Sequence, residues 1–275
     1  MTGIRFYKME GAGNDFVVID NRNTQFSLDE IIEFTPKLCD RKFGVGADGL
    51  LVLENPQLDN IDYTMIYRNA DGSDAGMCGN GSRCLALFAA THGFDTTQSF
   101  NVHQSIYSAE VNLKNNSVSI SFPDVDTPKK IHIDEQELIQ VYTGTEHVVQ
   151  FVDEKHLEKE TELVKSGSKI RYNQLLNPPG SNVNFVCDRG NQSLNLQTYE
   201  KGVEGLTLAC GTGAIASAVA AHFNTDKKSE KFEYSIHVKG GTLKVSFTFN
   251  QHKNMYQNIK LIGPAAFVFE GKINV

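Results

Sequence analysis

The sequence predicts an α+β protein of two similar, pseudo-symmetric domains, each with a β-sheet wrapped around one central helix. The first observation behind this prediction is a repeat: the spacing from Tyr67 to Cys78 is the same as the spacing from Tyr199 to Cys210. The second is that each cysteine opens a glycine-x-glycine turn, CGNG in one half and CGTG in the other. The third is that an almost wholly apolar helical stretch follows each turn.

A further landmark recurs at nearly the same offset. The segment GNDFVV begins at Gly13 and GTEHVV begins at Gly144, and this offset equals the offset between Cys78 and Cys210 to within a single position. Landmarks that share one offset so closely are typical of an internal duplication. We therefore expect the elements to follow the same order in both halves.

Hydrophobic periodicity and helix start signals predict the elements of each half. In the first half they predict a strand at 16–20, a helix at 27–40, strands at 49–53 and 63–68, a helix at 84–93 and alternating strands within 109–122. In the second half they predict a strand at 147–152, a helix at 154–166, strands at 182–187 and 194–199, a helix at 214–223 and alternating strands within 235–249. The first helix begins with a capping box, formed by Ser27 and Glu30.

The helical stretches at 84–93 and 214–223 carry small or apolar residues on nearly every face. A helix of that kind is buried all round, which a sheet wrapped about it achieves. A segment rich in proline and charge, 123–134, separates the halves. The predicted domains are therefore residues 1–125 and 126–263.

The cysteine turns indicate a particular chemistry. Glycine-x-glycine lets successive backbone N–H groups converge ahead of a helix, and with the helix dipole they form a site for a carboxylate or phosphate. A cysteine there feels the same field, which lowers its pKa and favours the thiolate. If the halves pack as pseudo-symmetric partners, Cys78 and Cys210 face one another across a bound anion. One thiolate then removes a proton from a carbon acid and the other thiol returns a proton to the opposite face, as a racemase or epimerase without a cofactor requires.

The other cysteines and motif matches are assigned no chemistry. Cys84 lies inside an apolar helix, and Cys39 and Cys187 have no turn beside them, so all three are predicted to be packed core residues. The segment GVGADG at 44–49 does not follow a strand, which argues against a dinucleotide site. The cysteine spacing does not fit zinc, and NADGSD does not place a glycine at position six of a calcium loop, so no metal is expected.

Composition limits the class of protein. The 275 residues are 40% hydrophobic and 21% charged, which is typical of a soluble globular protein. A net charge of −7 argues against a nucleic-acid partner. No apolar run is long enough to cross a membrane, and the first residues lack the features of a signal peptide. Five scattered cysteines suit a reducing cytoplasm better than a disulfide scaffold.

Five segments carry a family resemblance: GAGNDFVVID, GVGADGLL, NADGSDAGMCGNGSRC, GSNVNFV and YEKGVEGLTLACGTGA. In order and spacing they resemble the diaminopimelate epimerases over nearly the whole chain. The resemblance implies an enzyme independent of pyridoxal phosphate that interconverts LL- and meso-2,6-diaminopimelate, on the route to lysine and peptidoglycan. It also implies a barrel-like sheet around a central helix in each domain and a homodimer. The final segment, about 264–275, is expected to return to the first domain.

The resemblance also implies roles for individual residues. Cys78 and Cys210 match the catalytic acid–base pair, while His147 and Glu200 match residues near the reacting centre. Substrate-contacting positions are matched by Asn14, Asn69, Gly79, Asn80, Asn182, Glu200, Lys201, Gly211 and Thr212. Among these, the two glycine turns are expected to hold the reacting carboxylate.

Four positions depart from the family pattern. Thr145 and Glu146 stand where members commonly have asparagine and proline, and Leu206 stands where glutamate is usual. Lys201 replaces an arginine that would hold the distal carboxylate of the substrate, and a lysine keeps the charge but loses the bidentate geometry. The changes concern recognition of the far end of the substrate.

Three further interpretations stay open at this point. The first is a related two-cysteine racemase that acts on a different amino acid, since the departures cluster in the distal pocket. The second is a redox switch or binding protein in which Cys78 and Cys210 form a disulfide when oxidised. The third is a protein that keeps the fold and binds without turnover.

Overall fold

The computed structural model describes residues 3–225 and 231–274 of the chain. It divides the chain into two compact units, one of Met1–Ile120 with Ile262–Val275 and one of Ser121–Leu261. Assignment of these units as the predicted domains 1–125 and 126–263 stays a prediction.

The elements follow in chain order. Up to residue 122 they are β1 (Gly3–Gly11), β2 (Asn14–Asp20), α1 (Leu28–Cys39), β3 (Gly49–Glu54), β4 (Tyr63–Asn69), α2 (Gly79–Thr91), β5 (Thr97–Val102), β6 (Ser105–Asn112) and β7 (Ser117–Phe122). Then come β8 (Val125–Asp126), β9 (Lys129–Ile133), β10 (Gln136–Tyr142), β11 (Glu146–Phe151), α3 (Glu154–Leu157), α4 (Glu160–Arg171), β12 (Asn182–Asp188), β13 (Ser193–Glu200) and β14 (Gly205–Thr207). The last are α5 (Gly211–Phe223), β15 (Lys231–Val238), β16 (Gly241–Asn250), β17 (Met255–Pro264) and β18 (Ala266–Asn274).

The two units repeat one strand topology. In the first unit β1 and β2 are antiparallel, β2 and β3 parallel, β3 and β4 antiparallel, β4 and β5 parallel, and β5 and β6 antiparallel. The second unit repeats this sequence of pairings with β10, β11, β12, β13, β15 and β16. Helices fill the connections between parallel strands in both units, as such crossovers require. The predicted duplication and the α+β class are confirmed.

Each unit is built around a buried helix. Helix α2 packs against β1, β2, β3, β4 and β6, and its residues from Gly79 to Ala89 are all buried. Helix α5 packs in the same way against β10, β11, β12, β13, β15 and β16. The prediction of helices buried on every face is confirmed, and the N-terminus of each helix is the end where a ligand can meet backbone N–H groups.

A tight hairpin places the first residue of β2. Ala12 and Gly13 both have positive φ, 55° and 84°, which is the turn that matches the twist of adjacent strands. The strand before the turn approaches helix α2 closely, because a Cβ built on Gly11 would lie 3.1 Å from the Asn80 carbonyl oxygen and 3.2 Å from Cys84 Sγ. The hairpin therefore places Asn14 beside the start of α2.

Several element predictions need refinement. The capping box of α1 is confirmed, since Ser27 and Glu30 bond each other's backbone N–H groups. The helix predicted at 154–166 is instead two helices, α3 and α4. The single turn that Asp153 caps ends at Leu157, and the second helix begins at Glu160. The separating segment 123–134 is not a plain linker, since it contains β8 and β9. Within the described residues, no helix is long and apolar enough to span a membrane.

Candidate active site

Cys78 is the N-cap residue of α2. Its backbone is extended, with φ −119° and ψ 115°, and its Sγ accepts a hydrogen bond from the Gly81 N–H at 3.4 Å. The helix begins at Gly79, so the two glycines form its first turn and do not precede it as the sequence suggested. The thiol therefore meets the positive end of the helix dipole directly.

Cys210 occupies the same position on α5. Its φ of −119° and ψ of 112° nearly equal those of Cys78. Its Sγ lies 3.6 Å from the Thr212 hydroxyl, and Thr143 in turn donates to the Thr212 carbonyl at 3.4 Å. Each unit thus presents one cysteine at the N-terminus of its buried helix; the expectation that the two thiols face one another stays a prediction.

Amide side chains surround Cys78. Asn14 Oδ1 lies 3.9 Å from Cys78 Sγ and accepts from Asn80 Nδ2 at 3.3 Å, while Asn14 Nδ2 donates to Asp48 Oδ2 at 2.6 Å. The predicted residues Asn14 and Asn80 are therefore brought together with Cys78. Asn69 ends β4, where its amide donates to the Ser73 hydroxyl at 3.0 Å.

A fully buried arginine supports this first turn. Arg83 donates to the Asn80 Oδ1 at 2.8 Å and to the carbonyl oxygens of Gly79 and Pro264, each at 3.2 Å. Burial lowers the pKa of its guanidinium from the ordinary value. Because all of these partners are acceptors, they compensate part of the cost of burying the charge.

His147 is fully buried on β11. The Asn184 amide donates to its Nδ1 at 2.9 Å, and Asn182 Nδ2 lies 3.5 Å from its Nε2. Burial lowers the pKa of His147 to about 3, so the ring is neutral at physiological pH. Asn184 also accepts from the Thr198 hydroxyl at 3.0 Å, which joins three strands beneath α5.

An ion pair joins two of the positions that depart from the family pattern. Lys201 Nζ lies 2.7 Å from Glu146 Oε2. Burial acts to raise the pKa of the Glu146 carboxyl, but the Lys201 ammonium outweighs it and the pKa lies below its usual value. Asn182 links both backbones, since its Oδ1 accepts from the Lys201 N–H at 2.8 Å and its Nδ2 donates to the Glu146 carbonyl at 3.1 Å.

The remaining predicted positions lie around these groups. Glu200 is the last residue of β13 and is half-buried, immediately before Lys201. Leu206 lies on β14 and packs against the apolar core of the second unit. Thr145 donates to Glu146 Oε2 at 3.5 Å, so it adds a hydroxyl to the ion pair.

The three cysteines outside the helix N-termini are buried, as predicted. Burial raises the pKa of the Cys39 thiol to about 12 and raises the pKa of Cys84 and Cys187 as well. These thiols are held protonated and unreactive. Across the described residues, no cluster of three or more His, Cys, Asp or Glu side chains is arranged to hold a metal ion.

Comparison with known proteins decides the family. The profile described as diaminopimelate epimerase matches residues 6–126 and 139–268. The diaminopimelate epimerase of Flavobacterium psychrophilum is 40% identical over 271 residues, which cover 98% of this chain and 100% of the relative. That of Methanocella arvoryzae is 36% identical over 292 residues, which cover 100% of this chain and 98% of the relative. The chain belongs to the diaminopimelate epimerase family.

Solved structures show the same fold at low identity. A phenazine biosynthesis protein of the PhzF family from Bacillus anthracis matches with a TM-score of 0.76 and 12% identity, covering 100% of both chains. A hydroxyproline epimerase from Agrobacterium vitis matches with a TM-score of 0.72 and 12% identity, covering 99% of this chain and 91% of the other. The fold expected of the diaminopimelate epimerase family is therefore present here.

Sequence reasoning missed three residues beside the family's glycine turns. Asp48 and Arg83 stand inside segments quoted for the resemblance, yet neither was assigned a role. Asn184 lies shortly beyond Asn182 on the same face of β12. For Arg83 and Asn184 the available signal is a charged or polar side chain inside an apolar segment, which burial makes costly unless a partner is near.

Proposed function

We propose that this protein is a diaminopimelate epimerase that interconverts LL- and meso-2,6-diaminopimelate through two cysteines and without a cofactor. The observation that carries the proposal is the identical placement of Cys78 and Cys210 as N-caps of the two buried helices. Family membership over the whole chain supports the substrate.

The proposed reaction is a proton exchange at one carbon. One thiolate removes the α-proton, and the electron pair of the broken C–H bond moves into the carboxylate. Backbone N–H groups at the helix N-termini, including those of Asn80 and Thr212, stabilise the negative charge that develops there. The thiol of the other cysteine then donates its proton to the opposite face of the carbon. The two cysteines exchange protonation states, and the reverse reaction uses them in the opposite roles.

We assign His147 a positioning role in this mechanism. A ring that stays neutral and accepts from the Asn184 amide cannot supply a proton from Nδ1. It orders Asn184, which lies under the first turn of α5. Glu200, Asn69 and Asn182 are proposed to contact the amino and carboxylate groups of the substrate.

A related racemase with a different substrate is the second candidate. The observation that favours it is the ion pair of Lys201 with Glu146, because this carboxylate competes for the ammonium that a distal carboxylate would need. The two candidates differ in whether the second amino-acid end of the substrate is required.

The first experiment is proton NMR of LL-diaminopimelate with reduced protein in heavy water. We expect loss of the α-proton signal and appearance of the meso isomer. Parallel samples of free glutamate and histidine test the second candidate, since exchange in these alone would assign another substrate. Exchange in none of the samples would contradict both candidates.

Variants of the two cysteines test the mechanism. Cys78→Ala and Cys210→Ala should each lower the epimerisation rate by about 10²-fold or more, since each removes an acid–base group. Cys187→Ala is the matched control, because it removes a buried thiol from the second unit and should keep the rate. Normal epimerisation in either of the first two variants would refute the two-thiol mechanism.

We also propose that the enzyme is a cytoplasmic homodimer. The family resemblance and the scattered reduced cysteines support this assignment. A sedimentation mass equal to a single chain of 30.5 kDa at micromolar concentration would contradict the dimer.

A further inference from the structure

Four polar side chains of the first unit form a chain of hydrogen bonds beside Cys78. Arg83 donates to Asn80 Oδ1 at 2.8 Å, Asn80 Nδ2 donates to Asn14 Oδ1 at 3.3 Å, and Asn14 Nδ2 donates to Asp48 Oδ2 at 2.6 Å. We call Arg83, Asn80, Asn14 and Asp48 the amide relay. Its two inner members are amides, and its two ends carry opposite charges.

The charged ends determine which way both amides point. A guanidinium has donors only, so the group of Asn80 that faces Arg83 is its oxygen and the NH₂ faces Asn14. An ionised carboxylate has acceptors only, so the group of Asn14 that faces Asp48 is its NH₂. Both constraints place the Asn14 oxygen on the side of Cys78 Sγ, 3.9 Å away. The two ends therefore agree on a single arrangement.

We propose that Asp48 and Arg83 are positioning residues, which hold the Asn14 amide with its oxygen toward Cys78 and so keep a hydrogen-bond acceptor beside this thiol. The inference rests on the proposed role of Cys78 as an acid–base group. Neither residue touches the reacting atoms, and both act through Asn14.

The acceptor opposes the helix N-terminus. The Gly81 N–H donates to Cys78 Sγ at 3.4 Å and favours the thiolate, whereas the Asn14 oxygen accepts from S–H and favours the thiol. A flipped Asn14 would offer an NH₂ donor instead, which would favour the thiolate as the Gly81 N–H does. The relay thus keeps Cys78 able to serve as the proton donor as well as the base.

The outer end of the relay is itself held in place. Arg41 donates a hydrogen bond to Asp48 Oδ1 at 2.7 Å and two hydrogen bonds to the Asp15 carboxylate at 2.8 and 3.0 Å. Lys8 Nζ also contacts Asp15, at 2.5 Å. Burial acts to raise the pKa of the Asp15 carboxyl, but Arg41 and Lys8 outweigh it and hold that pKa well below its usual range. The carboxylate of Asp48 therefore meets a fixed cation on one side and Asn14 on the other.

The decisive variant is Asp48→Asn, which keeps the shape but has only one oxygen for donors on both sides. Asn14 then loses its fixed orientation, so the Cys78 thiolate should form at lower pH. The measurement is the pH dependence of Cys78 alkylation in the full chain, with the modified peptide identified by mass spectrometry. If diaminopimelate is the substrate, kcat should also fall by about 10- to 100-fold, as misplacement near a reacting group does.

Loss of the Asp48 charge and loss of the Asn14 orientation could each change the pH at which Cys78 is alkylated, so the two effects must be separated. Charged and titratable groups face this corner from several segments: Glu10 on β1, Cys84 and Arg83 on α2, and Asp48 just before β3, with Asp15 and Arg41 against Asp48. Glu10→Gln removes one negative charge and keeps an acceptor for the Gly13 N–H, so it is the charge-matched control. The alkylation profile of Cys78 should shift further in Asp48→Asn than in Glu10→Gln. This difference should persist in about 1 M salt, where the Debye length is only about 3 Å.

Asp48→Glu supplies the rescue, since it keeps an acceptor-only carboxylate on a side chain that is 44% exposed. Its alkylation profile should match that of the unchanged protein. The proposal would be overturned if the pH profile of Cys78 alkylation shifted equally in Asp48→Asn and Glu10→Gln. It would also be overturned if the profile shifted equally in Asp48→Asn and Asp48→Glu. Alkylation needs no substrate, so a failure of the relay can be told apart from a failure of the proposed reaction.

Discussion

Cys78 and Cys210 share a backbone conformation but differ in the side chains that contact their sulfur atoms. The sulfur of Cys78 has an amide oxygen 3.9 Å away, and that of Cys210 has a threonine hydroxyl 3.6 Å away. An amide oxygen is only an acceptor, whereas a hydroxyl rotates and serves as donor or acceptor. The duplicated scaffold therefore carries two thiols in unequal environments.

At the same scale, the buried His147 should make stability depend on pH. Its pKa is about 3 when folded and near the ordinary value of 6.5 when unfolded, so the unfolded state binds the proton first. Its contribution is complete above about pH 6.5 and is lost as pH falls toward 3, by about 1.4 kcal/mol per pH unit. Urea unfolding of His147→Gln from about pH 7 to about pH 5 should show a shallower dependence than the unchanged protein.

The exposed His156 on α3 provides the matched control. We expect His156→Gln to change the slope less than His147→Gln does, since it makes the same substitution at a side chain that is exposed to solvent. If His147→Gln and His156→Gln behave alike, the neutral buried ring is not the source of the slope.

Single residues show where sequence reasoning succeeded and where it could not. The sequence predicts Cys84 as a core residue because it lies in an apolar helix, and Cys39 and Cys187 because no turn adjoins them. All three are buried, since burial is a local property of the apolar pattern. Asp48 was missed because it reaches Asn14 through the parallel pairing of β2 with β3, in which Phe16 lies opposite Gly49. That register joins segments far apart in the chain, with all of α1 between them, and leaves no local mark in the sequence.

Among the elements, α2 and α5 differ in the space available for a side chain at the second glycine of their first turns. A Cβ on Gly213 would lie 2.5 Å from Asn184 Oδ1, 3.1 Å from Thr198 Oγ1 and 3.2 Å from Cys210 Sγ. The Asn184 side chain is held by Thr198 and His147, so it cannot yield freely. Gly213→Ala should therefore displace Cys210, cost about 1–3 kcal/mol of unfolding free energy and reduce epimerisation.

Gly81→Ala is the control at the equivalent position of α2. There the new Cβ would meet Leu51 Cδ2 at 3.0 Å and Met65 Cε at 3.5 Å, which are the ends of flexible apolar side chains. Thermal unfolding should show a smaller loss for Gly81→Ala than for Gly213→Ala. A larger loss would mean that Asn184 yields more easily than the apolar side chains do.

The elements themselves were predicted well where the signal was local. The capping box gave the start of α1 correctly, and the small apolar residues gave the burial of both central helices. β8 and β9 were missed because prolines and charges in 123–134 hide short strands that exist only through their pairings. The apolar pattern that predicts this helix begins at 84, one residue after Arg83, whereas α2 begins at Gly79 and includes it.

At the scale of the whole molecule, the first unit is completed from both ends of the described chain. β18 pairs antiparallel with β1, with Gly3 opposite Asn274 and Glu10 opposite Ala266. Removal of residues 266–275 should therefore lower protection from hydrogen exchange throughout the first unit and change the second unit little. Equal loss in both units would show that they unfold as one cooperative block.

The pairing of β1 with β18 also affects the order in which the two units can fold while the chain is being synthesised. A ribosome makes residues 3–11 well before their partner strand, which follows only after the whole of 121–261, a wait on the order of tens of seconds at usual elongation rates. During that interval one edge of β1 has no strand to pair with, and open edges are sites where nascent chains associate wrongly. The second unit, whose strands are contiguous in sequence, can fold while the first still waits. A released chain that ends at residue 261 would thus contain the whole second unit but lack the strand that completes the first.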